Sequence, residues 1–228
     1  LFFSTPTPAY ALLSGLVGSE MCIRDRGEDG RPFKTRSGEI IRLSDLLNEA
    51  EQRAFDAVTE KSPDLSEDDR REIARVVGIG AIKYADLSGN RQSDYVFSWD
   101  NMLALVGNTA PYLLYAYTRI RSIFRKLEGE SIEPPASFAL GQAEEVALAK
   151  HLLRFGLVLE QVIDECRPNF LCNYLYELAG FFGSFYENCP VLQAEGEVRA
   201  QRLALCDLAG RVLKTGLETL GLETTERM

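Results

Sequence analysis

Between Pro111 and Lys126 the chain reads Pro-Tyr-Leu-Leu-Tyr-Ala-Tyr-Thr-Arg-Ile-Arg-Ser-Ile-Phe-Arg-Lys, which places three tyrosines and four cations in sixteen residues. At about 100° per residue, the period of a helix, Tyr112, Tyr115, Arg119 and Lys126 fall on one arc. Leu113, Ala116, Tyr117, Ile120, Ile123 and Phe124 fall on a second, and Arg121 and Arg125 on a third beside Leu114 and Thr118. The second arc is a packing face. The first sets aromatic rings beside cations, the combination that an unstacked nucleobase and its phosphate require: a plane to stack on and a charge to meet. Stacking contributes about 1–3 kcal/mol per base. That matters on a chain of net charge −9, which has no bulk attraction for nucleic acid. The same spacing also fits tyrosines half-buried in a bundle and arginines on a solvated face, and periodicity alone leaves both open.

Other chemistries have little to stand on. His151 is the only histidine, so no Ser-His-Asp or Cys-His arrangement can be assembled. The cysteines, Cys22, Cys166, Cys172, Cys189 and Cys206, are odd in number and show no Cys-x-x-Cys spacing. They read as reduced thiols of a cytoplasmic protein and indicate neither a disulfide framework nor a metal site. No stretch approaches the ~18–20 unbroken apolar residues of a membrane span.

The elements that must position the Tyr112 face are helical. From Pro111, which suits a first helical turn, helices are expected near 111–127, 142–167, 169–187 and 195–221, with Pro134-Pro135 marking a linker at 128–139. Leu171, Leu175, Leu178, Phe182 and Phe185 make one buried stripe, and Leu205, Leu208, Ala209, Val212, Leu213 and Leu217 another. Upstream, a helix is expected over 44–61. A second, capped by Ser66, should end near Val77, where Gly78 and Gly80 punctuate it, and a short one should cover 81–87. The aromatic run Asp94–Asp100 reads as a loop. Long amphipathic helices without intervening strands imply a helical bundle. Residues 1–26 differ in character from the rest and are expected to be a leader foreign to the fold.

Several blocks in order resemble the arginine–tRNA ligases: Val77-Gly-Ile-Gly-Ala-Ile-Lys-Tyr-Ala-Asp-Leu87, Phe97-Ser-Trp-Asp-Asn-Met-Leu103, and Gly107-Asn-Thr-Ala-Pro-Tyr112 running on to Arg119. They continue with Tyr174-Leu-Tyr-Glu-Leu-Ala179, Phe185-Tyr-Glu-Asn-Cys-Pro190, Val198-Arg-Ala-Gln-Arg-Leu203 and the closing Glu226-Arg-Met228. The resemblance covers essentially all of 27–228. It implies a mainly α fold: a class I synthetase anticodon-binding bundle over 106–228, preceded over 27–105 by the tail of a catalytic α/β domain. It implies an intact enzyme that joins arginine to its tRNA using ATP with magnesium, works as a monomer in the cytoplasm and has no membrane partner. This portion, which holds no cofactor of its own, is expected to be inactive alone.

By the same resemblance, Lys34 and Arg36 stand where such enzymes keep a mobile Lys-Met-Ser-Lys-Ser loop, whose cations stabilise the leaving pyrophosphate; here the loop departs to Pro32-Phe-Lys-Thr-Arg36. Asn108, Tyr112, Tyr115, Arg119, Tyr186 and Met228 carry over as tRNA contacts. Leu114 stands where relatives often have glutamine. Two other classes fit the residues without the family: a stand-alone helical RNA-binding module and a helical protein-interaction domain. RNA affinity that falls with salt separates the RNA readings from the last.

Overall fold

The computed structural model describes residues 43–90, 98–127, 135 and 137–228, together with the backbone of 25–26 and 95–96. Lys34 and Arg36 lie outside the described residues. In chain order the elements are β1 (Asp25–Arg26), α1 (Leu43–Lys61), α2 (Glu67–Ser88), β2 (Tyr95–Val96) and α3 (Trp99–Met102). There follow α4 (Ala110–Arg125), α5 (Ala143–Leu152), α6 (Phe155–Glu165), α7 (Asn169–Asn188) and α8 (Gly196–Thr219). The strands pair in parallel, Asp25 with Tyr95 and Arg26 with Val96. The run expected as a loop at 94–100 thus holds β2 and the start of α3, whose N-cap Ser98 accepts from the Asn101 N–H.

Helix α2 is one helix through Gly78 and Gly80 rather than two. Ser66 caps it, accepting from the Asp69 N–H, and Glu67, Asp68 and Asp69 sit at the positive end of the helix dipole. Gly78 serves packing. A Cβ on Gly78 would stand 2.7 Å from the Ala50 carbonyl oxygen, so α1 crosses α2 in contact with it there. The helix expected over 142–167 is instead two. The His151 carbonyl accepts from the Arg154 N–H at 3.0 Å and the Tyr174 hydroxyl at 3.2 Å, which draws it out of the helical ladder and breaks the run at Leu153-Arg154.

Helix α7 packs against α2, α4, α5, α6 and α8 and is the axis of the bundle. Its stripe Leu171, Leu175, Leu178, Phe182 and Phe185 is fully buried, as is most of the α8 stripe, while Leu208 faces outward instead. Helix α4 is covered by α2, α7 and α8 on three sides. That is why Leu114 and Thr118, which spacing puts beside the arginines, are buried; Phe124, on the arc expected to pack, is half-buried near the helix end. No described helix is long and apolar enough to cross a membrane.

Candidate nucleic-acid interface

Helix α4 is started by a short sequence of turn chemistry. Gly107 sits at φ 81°, a conformation that glycine adopts without steric cost, and turns the chain so that Asn108 and Thr109 meet the helix end. The Thr109 hydroxyl donates to the Ala104 carbonyl at 2.6 Å and accepts from the Tyr112 N–H at 3.3 Å, closing the first turn with Pro111 inside it. Asn108 is held from both sides. Its Oδ1 accepts from the Tyr84 hydroxyl and its Nδ2 donates to Asn173 Oδ1 at 3.0 Å. Tyr84 is buried and also lies 2.9 Å from the Cys172 carbonyl oxygen. Burial raises its phenol well above the ordinary range, so it stays a neutral donor.

With three sides of α4 covered, the strip left open carries Tyr112, Tyr115 and Arg119. Tyr115 is 46% exposed. Tyr112 is half-buried, its ring 5.6 Å from that of Tyr176. The Arg119 guanidinium lies over the Tyr186 ring at 4.5 Å, a cation–π contact that keeps both side chains on one surface. Tyr186 itself packs at the edge of the core beside Phe182.

Below Tyr115 is a cavity of about 520 Å³ lined by Tyr115, Pro111, Met228, Leu103, Arg53 and Lys61, among others. Met228 reaches it because the tail after α8 is strapped across the bundle. Lys83 Nζ donates to the Gly221 carbonyl at 2.8 Å, Leu222 is buried, and Arg75 pairs with Glu223 at 2.6 Å. Glu226 then accepts from Arg121 Nε at 2.6 Å and the Tyr117 hydroxyl at 3.2 Å, while Arg125 donates to its carbonyl. Met228 is therefore packed against the core rather than a frayed end.

The structure thus brings Tyr115 and Met228 to one cavity and Arg119 and Tyr186 into contact; Asn108 and Tyr112 join Asn173 and Tyr176 of α7 nearby. The cations of the third arc, Arg121 and Arg125, hold the tail. Spacing along α4 does not reveal Arg53 and Lys61, which lie on a helix some fifty residues upstream. Only the α1–α2–α4 packing brings them to the cavity.

Residues 113–228 match the DALR anticodon binding domain, and residues 22–99 match the catalytic domain of tRNA synthetases class I (R). The arginine–tRNA ligase of Ectopseudomonas mendocina is 55% identical over 227 residues, covering 96% of this chain and 39% of the relative. That of Pseudomonas fluorescens is 58% identical over 203 residues, covering 89% and 35%. Among solved structures, Thermus thermophilus arginyl-tRNA synthetase superimposes with a TM-score of 0.81 at 33% identity, covering 90% of this chain and 34% of that one. The Plasmodium falciparum enzyme gives 0.72 at 32% identity, covering 83% and 34%. The chain spans little more than a third of the length of these relatives. With a domain model matched over half its residues and those relatives along nearly all of it, the chain belongs to the arginine–tRNA ligase family, of which it carries the DALR anticodon-binding domain.

Proposed function

We propose that this chain recognises the anticodon loop of arginine tRNA, within a protein that attaches arginine to that tRNA in an ATP-dependent reaction. The observation that carries this reading is Tyr115, nearly half exposed above a cavity it shares with Met228, Arg53 and Lys61. A splayed-out base entering such a cavity stacks on the ring, packs against the thioether and leaves its phosphate near the cations. Asn108, Tyr112, Tyr115, Arg119, Tyr186 and Met228 are the proposed tRNA contacts. The remaining acidic surface repels the rest of the polyanion, so affinity comes from this locally basic, aromatic face and falls with ionic strength.

The anticodon-binding domain is proposed to span 106–228 and the end of the catalytic domain 27–105; of the leader expected over 1–26, Asp25 and Arg26 pair with Tyr95 and Val96 and the catalytic-domain match begins at residue 22, so the proposed boundary at 26 stands a few residues inside that match. Lys34 and Arg36 are proposed to meet the pyrophosphate of ATP in the whole ligase. ATP, its magnesium ion and arginine are substrates of that whole protein. Among the described residues no group of three or more His, Cys, Asp and Glu is placed to hold a metal ion. A cytoplasmic monomer without aminoacylation activity of its own completes the reading.

The test is equilibrium binding of an anticodon stem-loop to the chain carrying Tyr115→Ala and Arg119→Ala together. A loss of a few kcal/mol at most is expected, from one stacked base and one charged contact. Unchanged affinity in a folded double variant refutes the assigned face.

A further inference from the structure

The exposed rings near Tyr112 are not all on α4. Tyr176, on α7, is 38% exposed, and its ring stands 5.6 Å from that of Tyr112 with a 60° tilt. Asn173 lies three residues earlier, on the same face of α7, and is also exposed. A relay of hydrogen bonds orients it: buried Tyr84 donates to Asn108 Oδ1, and Asn108 Nδ2 donates to Asn173 Oδ1. The Asn173 Nδ2 is left with two N–H donors, and no group among the described residues accepts from it. Between Tyr176 and Tyr186 on the same helix lie Gly180 and Gly183, and a Cβ added at either would meet nothing within 4 Å. The seam of α4 and α7 is therefore walled at one end by Tyr112 with Tyr176 and at the other by Arg119 over Tyr186. Gly180 and Gly183 add no side chain to α7 between the two. Tyr112 and Arg119 are seven residues apart, about 10 Å at the helical rise and roughly three base-stacking steps of single strand.

We infer that Tyr176 and Asn173 are nucleotide contacts. Tyr176 stacks a base of the single-stranded loop beside Tyr112, and the Asn173 amide donates to an acceptor on that base's edge. A ring that is neither buried nor charged, fixed by a second ring and flanked by an oriented amide, offers the sequence-tolerant stacking and edge hydrogen bonding by which proteins hold unpaired RNA. The inference rests on the anticodon-loop reading above and extends it to a second helix.

The test compares Tyr176→Ala, Tyr176→Phe, Asn173→Ala and Tyr115→Ala in the full chain, by equilibrium binding of the arginine anticodon stem-loop. In parallel, the unsubstituted chain is photocross-linked to stem-loops carrying 5-iodouridine at each loop position in turn. Tyr176→Ala should weaken binding on the order of ten- to a hundredfold, and Tyr176→Phe should restore it to within about twofold. Asn173→Ala should cost roughly three- to tenfold, and at least one loop position should cross-link to Tyr176. If Tyr115→Ala weakens binding while Tyr176→Ala does not, the inference is overturned and the anticodon reading stands. If neither does, both fall. A loss at Tyr176→Ala without any cross-link to Tyr176 makes the ring a prop for Tyr112 and also overturns the inference. The cross-link is read on the unsubstituted chain, so it decides even if the alanine variant fails to fold.

Discussion

Two arginine–carboxylate pairs of nearly equal length do different work in this bundle. Arg202 Nε meets Glu145 at 2.7 Å with the side chains 12% and 6% exposed; Arg121 Nε meets Glu226 at 2.6 Å with the side chains 39% and 56% exposed. Glu145 also accepts from the Gly141 and Gln142 N–H groups, at 2.9 and 3.1 Å, and Arg202 also donates to the Pro190 carbonyl at 2.9 Å. That cluster ties the start of α5, the turn after α7 and α8 into one knot away from the Tyr115 cavity. Burial by itself would push the Glu145 carboxyl up, but the Arg202 hydrogen bond and the two backbone donors hold it below the ordinary range. The exposed pair instead holds a tail whose last residue lines the cavity. Distance says nothing about which pair maintains the fold and which shapes the site. Exposure and what hangs on each pair do.

Breaking the buried pair should have the largest effect. Glu145→Ala leaves a guanidinium enclosed without its counter-charge, which costs about 3–5 kcal/mol of stability and lowers the melting temperature by on the order of 10 °C. Replacing both partners by apolar residues, Glu145→Leu with Arg202→Met, should recover most of the loss, because no buried charge is then left alone. Stem-loop affinity at temperatures where the variant remains folded should not move. Denaturant unfolding showing less than about 1 kcal/mol lost in Glu145→Ala would mean that the enclosed pair is not what knots this end.

The two sides should also differ in the pH at which they weaken. His151 is buried on α5, its Nε2 3.0 Å from the Tyr174 carbonyl and its ring stacked on Tyr174 at 4.4 Å. Burial lowers its imidazole below the ordinary 6.5, outweighing the carbonyl and Glu177, which act the other way. The unfolded chain therefore takes up the proton first. The stability contributed by the neutral ring is present above pH 6.5 and is lost as the pH falls below it, by up to about 1.4 kcal/mol per pH unit. Melting curves between pH 8 and 5.5 should show this slope in the parent and a flatter one in His151→Gln. Equal slopes would remove His151 from the account.

Much of this is legible in the residues, and what is not has a common cause. The stripes of α7 and α8 can be read because each helix buries one face, so period 3.6 maps directly onto burial. The same reasoning fails for Leu114 and Thr118 because α4 buries three faces, a number set by its neighbours and not by its own pattern. It fails at Gly78 for a related reason: a glycine that ends a helix and one that admits a crossing backbone look alike until the partner, here the Ala50 carbonyl, is in place. The break at Leu153-Arg154 depends on the Tyr174 hydroxyl from another helix. At the candidate site, the Tyr112–Tyr115–Arg119 strip follows from spacing on one helix, whereas Arg53, Lys61, Asn173 and Tyr176 join it only through tertiary packing. The arginines at 121 and 125 could not be told from solvated ones without the tail that lies on them.

The smallest expected effect is the most informative about the exposed pair. Glu226→Gln removes one charge from a half-exposed clamp, so unfolding free energy should change by less than about 1 kcal/mol. If the clamp acts by keeping Met228 at the cavity, stem-loop affinity should fall as well, although Glu226 is not one of the proposed contacts. The fall is bounded. Loosening the tail by at most about 1 kcal/mol can reduce the binding-competent fraction by no more than about fivefold, so a larger loss would mean that Glu226 touches RNA directly. Acid should reproduce the substitution. Burial alone would raise the Glu226 carboxyl, but the hydrogen bond and charge of Arg121, with the Tyr117 hydroxyl, hold it below its ordinary 4.5. The clamp is therefore at full strength above pH 4.5 and is lost as the pH falls through the lower value of the folded chain. The affinity ratio of parent to Glu226→Gln, which cancels titrations common to both, should stay constant from pH 8 to 5 and approach one only in stronger acid. A ratio of one throughout would show that the tail keeps its place without this ion pair, leaving Leu222 and the Lys83 and Arg75 contacts to hold it.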